Sequence, residues 1–437
     1  MGQPSPRPEL VSTIFALASG MPPAAIAIMR ISGPEAFAAA RALAGALPEP
    51  RRAAVRALRD PATGLMLDRA IVVTFPGPDS ATGEDIVEFH LHGGRAVIAA
   101  VSAVLATQPG LQAAVAGEFT KRALMARRID LAEAEGLGDL LMAQTEGQRR
   151  SALALAEGAL SRAVSGWAQA LLDISARVEA ELDFSDEDDV APSSGDATSA
   201  DIAALAAQVD AVLANPPVER LRDGIRIVLA GPPNAGKSTL LNAMVEREAA
   251  IVSPIAGTTR DRIEAAIIRD GVAYVLTDTA GLAAGSTDPI ELIGMERAIE
   301  AMAGADIVLW LGDAPPGDDA ARTIWLWPRA DEREDEPSAH RLRVSGRTGE
   351  GLVALWDRIA AQSRQLLPRE DQLALNQRQR ALCAQCLEAL QAAAAEPDLL
   401  LIAEQLRLAR DALDQITGAT HVEAMLDALF SRFCIGK

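Results

Sequence analysis

Apolar positions recur along this chain at two different periods, and the change of period divides it. Up to about residue 120, short apolar runs alternate with polar positions. Ile26-Ala27-Ile28-Met29, Ile71-Val72-Val73 and Ile86-Val87-Glu88-Phe89 predict strands. Ser32-Gly33-Pro34-Glu35 reads as a capping box opening a helix, because Ser and Glu at this spacing satisfy each other's backbone donors. From about 120 to 215 the period becomes helical. Leu160, Val164, Trp167, Leu171, Ile174, Val178 and Leu182 fall three and four apart and build one apolar stripe. Phe184 to Asp201 breaks that pattern with acidic, Ser, Pro and Gly residues. Within it Asp186-Glu187-Asp188-Asp189 reads as a solvated loop, since consecutive acids fix no coordination geometry.

Asn215-Pro216-Pro217 marks a boundary, after which the order becomes strand, Gly-rich loop, helix, as in a parallel α/β sheet. The expected strands are Ile225–Ala230, Ala273–Thr277, Ile307–Leu311, Ile324–Trp327 and Leu342–Val344. This unit ends near Leu366–Pro368. Helical spacing then returns with Ile402, Leu406, Ala409, Leu413 and Ile416, followed by Val422, Leu426, Leu429 and Phe433. A helical block on each side of an α/β unit predicts one helical domain interrupted by an insertion.

Composition narrows the function. With 437 residues, 49% hydrophobic and 23% charged, the chain is globular and long enough for two or three domains. A net charge of −19 argues against general polyanion binding, so any RNA contact needs local basic patches. Lys121, Arg122, Arg127 and Arg128 form one candidate, and Arg149 with Arg150 another; a solvated helix face explains either equally well. Three cysteines imply no disulfide framework. Met1 to Leu10 lacks the apolar core of a signal peptide, and no apolar run is long enough for a bilayer. A cytoplasmic protein with no membrane attachment is expected. Cys383 and Cys386 read as packing residues, and His90 with His92 as structural rather than metal-binding.

The strongest chemical signal is Gly231-Pro232-Pro233-Asn234-Ala235-Gly236-Lys237-Ser238, followed by Thr239, a P-loop between a strand and a helix. Its glycines let backbone N–H groups approach phosphates at the positive end of the helix dipole. Lys237 is expected to reach the β- and γ-phosphates, and Ser238 to ligate Mg²⁺. Asp278-Thr279-Ala280-Gly281 follows the next strand, with Asp278 placed to hold the Mg²⁺ shell and Gly281 to sense the γ-phosphate. Gly257-Thr258-Thr259-Arg260-Asp261 lies between them as a first switch loop.

Base recognition departs from the usual Asn-Lys-x-Asp. Here the corresponding residues are Pro328-Arg329-Ala330-Asp331. Asp331 keeps the carboxylate that accepts two hydrogen bonds from the guanine edge, and adenine would leave it unpaired. Arg329 takes the place of a lysine over the base plane, while Pro328 cannot replace the Asn side chain. Ser345-Gly346-Arg347, after the next strand, corresponds to the usual Ser-Ala-Lys loop behind the base.

Gly83-Glu84-Asp85, Gly117-Glu118-Phe119-Thr120-Lys121-Arg122-Ala123, the P-loop with Asn234, the Gly-Thr-Thr-Arg-Asp loop and the final Phe433-Cys434-Ile435-Gly436-Lys437 together resemble the MnmE/TrmE family. Its members are GTPases that modify tRNA uridine. The resemblance covers nearly the whole chain. It implies an N-terminal α+β folate-binding and dimerisation domain over 1–120, a discontinuous helical domain over 121–217 and 369–437, and an inserted Ras-like P-loop G domain over 218–368. It further implies a K⁺ site from Asn234, Ser253, Ile255 and Thr258, Mg²⁺ ligation by Thr259, and Glu291 orienting the attacking water. Arg30, Glu88, Arg128 and Lys437 match positions lining a pocket for a 5-formyltetrahydrofolate-type one-carbon donor, and Cys434 matches a cysteine assigned to the modification chemistry. The implied reaction couples GTP hydrolysis to addition of a (carboxymethyl)aminomethyl-type group at C5 of the tRNA wobble uridine. The resemblance also implies a flavin- and NADH-dependent partner protein that shares the chemistry, and a homodimer. A ribosome-assembly GTPase acting as an RNA-binding switch is the alternative; it needs neither the folate pocket nor the terminal cysteine. An ATPase and a non-hydrolysing scaffold are further rivals.

Overall fold

The structure is a computed structural model that describes residues 12–183, 195–246, 264–279, 300–314, 320–333, 335, 340–369, 372–418 and 436. The chain forms two compact units, one of Met1–Gly138 with Thr417–Lys437 and one of Asp139–Ile416.

In the first unit, strands β1 (Thr13–Leu17), β2 (Ile26–Ser32), β3 (Ala54–Arg59), β4 (Met66–Phe75), β5 (Ile86–His92) and β6 (Leu111–Ala113) form a sheet ordered β3-β4-β5-β2-β1-β6. Only the short β6 runs parallel to its neighbour. Helices α1 (Ala36–Ala44), α2 (Arg95–Ala106), α3 (Glu118–Met125) and α4 (Leu131–Met142) complete the order, α4 extending across the division at residue 138. Side chains alternate along a strand. Met29, Ile31, Val72, Phe89 and Leu91 therefore face one way, into a core shared with Ala40 and Leu43 of α1 and Val101 and Leu105 of α2. The opposite face carries Arg30 and Glu88, which sit directly across from each other on β2 and β5.

The predicted capping box does not form. The helix begins at Ala36, and its preceding residue Glu35 makes no side-chain cap. Ser32 instead ends β2 with its hydroxyl 2.7 Å from both Thr82 Oγ1 and Glu84 Oε2. The partners fifty residues away won over the local ones. The two motif runs of this domain prove to be partners of one another: Arg122, 2% exposed, donates to Glu84 at 3.1 and 3.2 Å and to Glu118 at 3.0 Å. Burial with two carboxylates removes Arg122 from any RNA-binding patch, and Arg149 and Arg150 are both engaged by Glu146. Gly436 (φ 102°) has backbone of β1 beside it, Leu17 O lying 2.0 Å from where a Cβ would be, so no side chain fits there.

The second unit holds α5 (Glu146–Ala156), α6 (Ala159–Asp183), α7 (Gly195–Leu213), α8 (Glu219–Arg222), β7 (Ile225–Ala230), α9 (Lys237–Glu246), β8 (Glu264–Arg269), β9 (Val272–Asp278), β10 (Ile307–Trp310), β11 (Thr323–Trp327), β12 (Leu342–Arg343), α10 (Leu352–Leu366), α11 (Gln377–Ala395) and nearly all of α12 (Leu399–Thr417). The α6 stripe is buried from Leu160 to Val178. Residues 195–201, expected to lie in a loop, already belong to α7. The two helical blocks pack on each other: α11 lies along α7, and Arg380 Nη1 and Nη2 bond Asn215 O (2.8 Å) and Leu213 O (2.7 Å). Cys383 and Cys386 are fully buried in this layer, and desolvation pushes their thiols up to about 11 and about 12.

The inserted sheet is ordered β12-β11-β10-β7-β9-β8, parallel except for β8. All five expected strands form within a residue of their predicted ends; β8, which pairs antiparallel with β9, was not anticipated. The chain leaves β7 to one side for β9 and returns on the other for β10, so β7 lies at the topological switch point, where such sheets bind ligands at their carboxyl ends. Among the described residues no helix is long and apolar enough to cross a membrane.

Candidate functional site

Four loops converge at the carboxyl ends of these strands. After β7 the chain turns through Gly231 (φ 146°) and Gly236 (φ 93°), backbone conformations that glycine adopts without strain. Asn234 also sits in the left-handed region at φ 60°, which Asn tolerates better than most residues. Helix α9 then starts at Lys237, pointing its free N–H groups at the loop.

Lys237 is buried, and its Nζ donates to Gly231 O and Pro232 O, both at 2.9 Å. The ammonium thus closes the loop on itself, across the space where the sequence leads one to expect phosphate oxygens. Desolvation holds it below its ordinary pKa, with the Asp278 charge acting in the opposite direction. Ser238 Oγ donates to Asp278 Oδ2 at 2.5 Å, joining α9 to the end of β9. A hydroxyl and a buried carboxylate side by side are the hard oxygen donors that suit Mg²⁺. Thr279 Oγ1 donates to Leu229 O at 2.7 Å, fixing the end of β9 against β7. Ala235 and Thr239 lie in the loop and the first turn of α9.

The turn after β11, where base recognition is expected from the sequence, has Pro328 in place of an Asn side chain. Trp325 and Trp327 lie on one face of β11, with the Arg341 guanidinium 4.9 and 4.2 Å from their ring centroids. Backbone bonds Val344 N to Trp327 O (3.0 Å) and Ala330 N to Val344 O (3.1 Å) then tie the turn after β11 to the end of β12. These contacts do the tethering that Pro328 cannot. Arg329 (φ 57°) lays its aliphatic chain against the P-loop, 3.5 Å from where a Cβ on Gly236 would be. Asp331 accepts from Ser345 Oγ at 2.6 Å and from Arg347 Nε at 2.8 Å and Nη2 at 2.6 Å. Hydrogen bonding by Ser345, and then by Arg347, keeps the Asp331 carboxyl below its ordinary pKa. Gly346 packs against α9 with Thr239 O only 2.7 Å from a would-be Cβ.

The second cluster is in the first unit. Arg30 Nε and Nη2 bond Glu88 Oε1 at 3.0 and 2.8 Å, and the Arg30 guanidinium lies 5.8 Å from the Phe119 ring centroid. His90 Nε2 lies 3.3 Å from Glu88 Oε2, so this histidine joins a cluster from which sequence reasoning left it out. The clue was its period-two spacing from Glu88 on one strand face. Arg128 is paired elsewhere, with Asp79 at 3.3 Å. A half-buried charge pair beside an aromatic ring fits a ligand with a carboxylate tail and a polar ring. Ser253, Ile255, Thr258, Thr259, Ala280, Gly281, Glu291, Cys434 and Lys437 lie outside the described residues.

Two family models match this chain: "MnmE helical domain" over residues 131–434, and "GTP-binding protein TrmE N-terminus" over 13–128. The chain belongs to the MnmE/TrmE family. The tRNA modification GTPase MnmE of Rhizorhabdus wittichii is 55% identical over 435 residues, covering 99% of this chain and 98% of its own length. That of Erythrobacter litoralis is 55% identical over 430 residues, covering 98% and 100%. Among solved structures, the G domain of the T. maritima FeoB iron transporter is 22% identical, with a TM-score of 0.24 over 32% of this chain and 98% of that one. The MnmE helical match begins before the inserted sheet and ends after it, and α11 packs on α7.

Proposed function

We propose that this protein hydrolyses GTP at the P-loop site and uses the turnover in the modification of tRNA. The observation that carries the reading is the convergence of Lys237, the Ser238–Asp278 pair and the Asp331–Ser345–Arg347 cluster on one edge of the sheet. When nucleotide enters, Lys237 exchanges two backbone carbonyls for phosphate oxygens, acceptors that bear negative charge and bond it more strongly. Ser238 and Asp278 would hold Mg²⁺, which supplies charge neutralisation at the phosphates. Asn234, with Ser253, Ile255 and Thr258, would hold K⁺ in the role an arginine plays elsewhere. Glu291 would orient the attacking water, and Thr259 would be a further Mg²⁺ ligand.

The remaining reading follows the family. The domains run 1–120, 121–217 with 369–437, and 218–368. Arg30, Glu88, Arg128 and Lys437 take a 5-formyltetrahydrofolate-type donor, and Cys434 serves the modification step. The protein works in the cytoplasm as a homodimer with a flavin- and NADH-dependent partner. The group added at C5 of the wobble uridine is of the (carboxymethyl)aminomethyl type. The half-buried Arg30–Glu88 pair beside the Phe119 ring supports the folate site, since its charges and the ring suit a ligand with a carboxylate tail and a polar ring.

The test is turnover by the purified protein with GTP or ATP, in KCl or NaCl. GTP-selective hydrolysis that is faster in K⁺ is expected. Equal use of ATP would remove the guanine reading, and equal rates in the two salts would remove the cation site.

A further inference from the structure

Ser345 and Arg347 place three donors on the Asp331 carboxylate. Ser345 occupies Oδ1, while Arg347 sets Nε and Nη2 on Oδ2. The same guanidinium reaches Glu332 Oε1 at 3.3 Å, and Arg347 is otherwise exposed to solvent. These donors fall on the group that would read guanine. The Watson–Crick edge of guanine, N1–H and the 2-amino group around C2, is itself a guanidine-type donor pair. Arginine and guanine therefore compete for the same acceptor with the same chemistry.

We infer that Arg347 is an internal stand-in for the guanine base, so that nucleotide binding exchanges one guanidine-type fork on Asp331 for another and Arg347 thereby sets affinity and base choice. This rests on the reading of Asp331 as the guanine acceptor. Three consequences follow. Guanine affinity is lowered by whatever the Arg347 pair contributes to the free state. Without a base bound, Arg347 would keep the partly buried Asp331 carboxylate paired, so no acceptor is left without a donor. Adenine, which offers a ring nitrogen acceptor and a C–H at this edge, cannot replace the Arg347 donors and leaves them in place. Departure of Arg347 costs little in packing because its side chain is 67% exposed and retains Glu332 as a neighbour.

The experiment measures association and dissociation of GDP and ADP, with Mg²⁺, on the nucleotide-free full-length chain and on Arg347→Ala and Arg347→Gln, melts confirming that each is folded. Both variants are expected to bind GDP about two- to fivefold more tightly, as an exposed pair of this kind would allow, mainly through faster association. ADP binding is expected to stay the same, so GDP selectivity rises. Unchanged or weaker GDP binding in both variants overturns the proposal and makes Arg347 a contact to bound nucleotide. Failure of the unsubstituted protein to prefer GDP over ADP is a different result: it removes Asp331 as guanine acceptor, and the role of Arg347 falls with it.

Discussion

Ser238 Oγ and Asp278 Oδ2 approach to 2.5 Å, so the first turn of α9 and the end of β9 meet through one hydroxyl–carboxylate bond. Asp278 is 1% exposed and is aligned with Leu229 of β7, which places its carboxylate at the switch point of the sheet. Metal entry would turn this direct bond into shared ligation. Ser238→Ala is therefore expected to keep GDP binding but lose the extra thermal stabilisation that Mg²⁺ adds to the GDP complex. Melting curves with GDP, with and without Mg²⁺, check this; an undiminished Mg²⁺ increment would show that Ser238 is not a ligand.

Gly346 has no room for a methyl group. A Cβ would lie 2.7 Å from Thr239 O and 2.8 Å from Leu240 N, both backbone atoms of α9. Gly346→Ala is expected to push the Ser345–Arg347 loop off the helix, costing about 1–3 kcal/mol of stability and weakening guanine nucleotide binding. Urea unfolding and GDP titration measure the two effects, and a variant with unchanged values would refute the close approach.

Gln148 joins the helical layer to the segment leading into β7. Its Oε1 accepts from Gln144 N (2.7 Å) and Thr145 N (2.8 Å), and its Nε2 donates to Leu221 O (2.9 Å) and Arg222 O (3.0 Å) of α8. Neighbouring α8 side chains reach onward: Glu219 accepts from Gln377 N at the start of α11, and Arg220 donates to Asp306 beside β10. Gln148→Leu removes all four bonds without adding bulk. A loss of about 2–4 kcal/mol is expected. GTP turnover should survive while tRNA modification falls, since the phosphate site lies outside this joint; equal loss of both would mean that Gln148 only maintains the fold.

The pH response of base binding follows from Asp331. Ser345 and then Arg347 hold its carboxyl below the ordinary value of 3.8. A depressed carboxyl contributes its stability above the unfolded value and loses it as pH falls through the lower folded value. In Arg347→Gln one of the two lowering contacts is gone, so Asp331 protonates at higher pH. The ratio of GDP affinities, variant to parent, is expected to stay flat from neutral pH to about pH 5 and then turn against the variant. Taking the ratio cancels titration of the phosphates themselves. A flat ratio down to pH 4 would show that Arg347 does not act on this carboxyl.

Much of this protein was legible because it is local. The P-loop is eight consecutive residues between a strand and a helix, and the parallel strands are short apolar runs whose ends the structure reproduces within a residue. The α6 stripe was equally readable, since burial on one face imposes its spacing directly. Strand β8 escaped because its run, Glu264-Ala265-Ala266-Ile267-Ile268-Arg269, is weakly apolar and gains its place by pairing with β9.

Partner choice was not legible, because a polar side chain bonds whatever the fold brings nearest. Ser32 had a local partner in its own capping motif and took Thr82 and Glu84 instead. Arg122 looked like part of a basic patch until folding enclosed it between Glu84 and Glu118. Arg347 and Asp331 stand sixteen residues apart, and only the adjacency of β11 and β12 sets the guanidinium on the carboxylate. Residue order thus fixes which groups can do the chemistry, while the packing of strands and helices fixes which of them meet, since side-chain hydrogen bonds act over about 3 Å and carry no memory of separation along the chain.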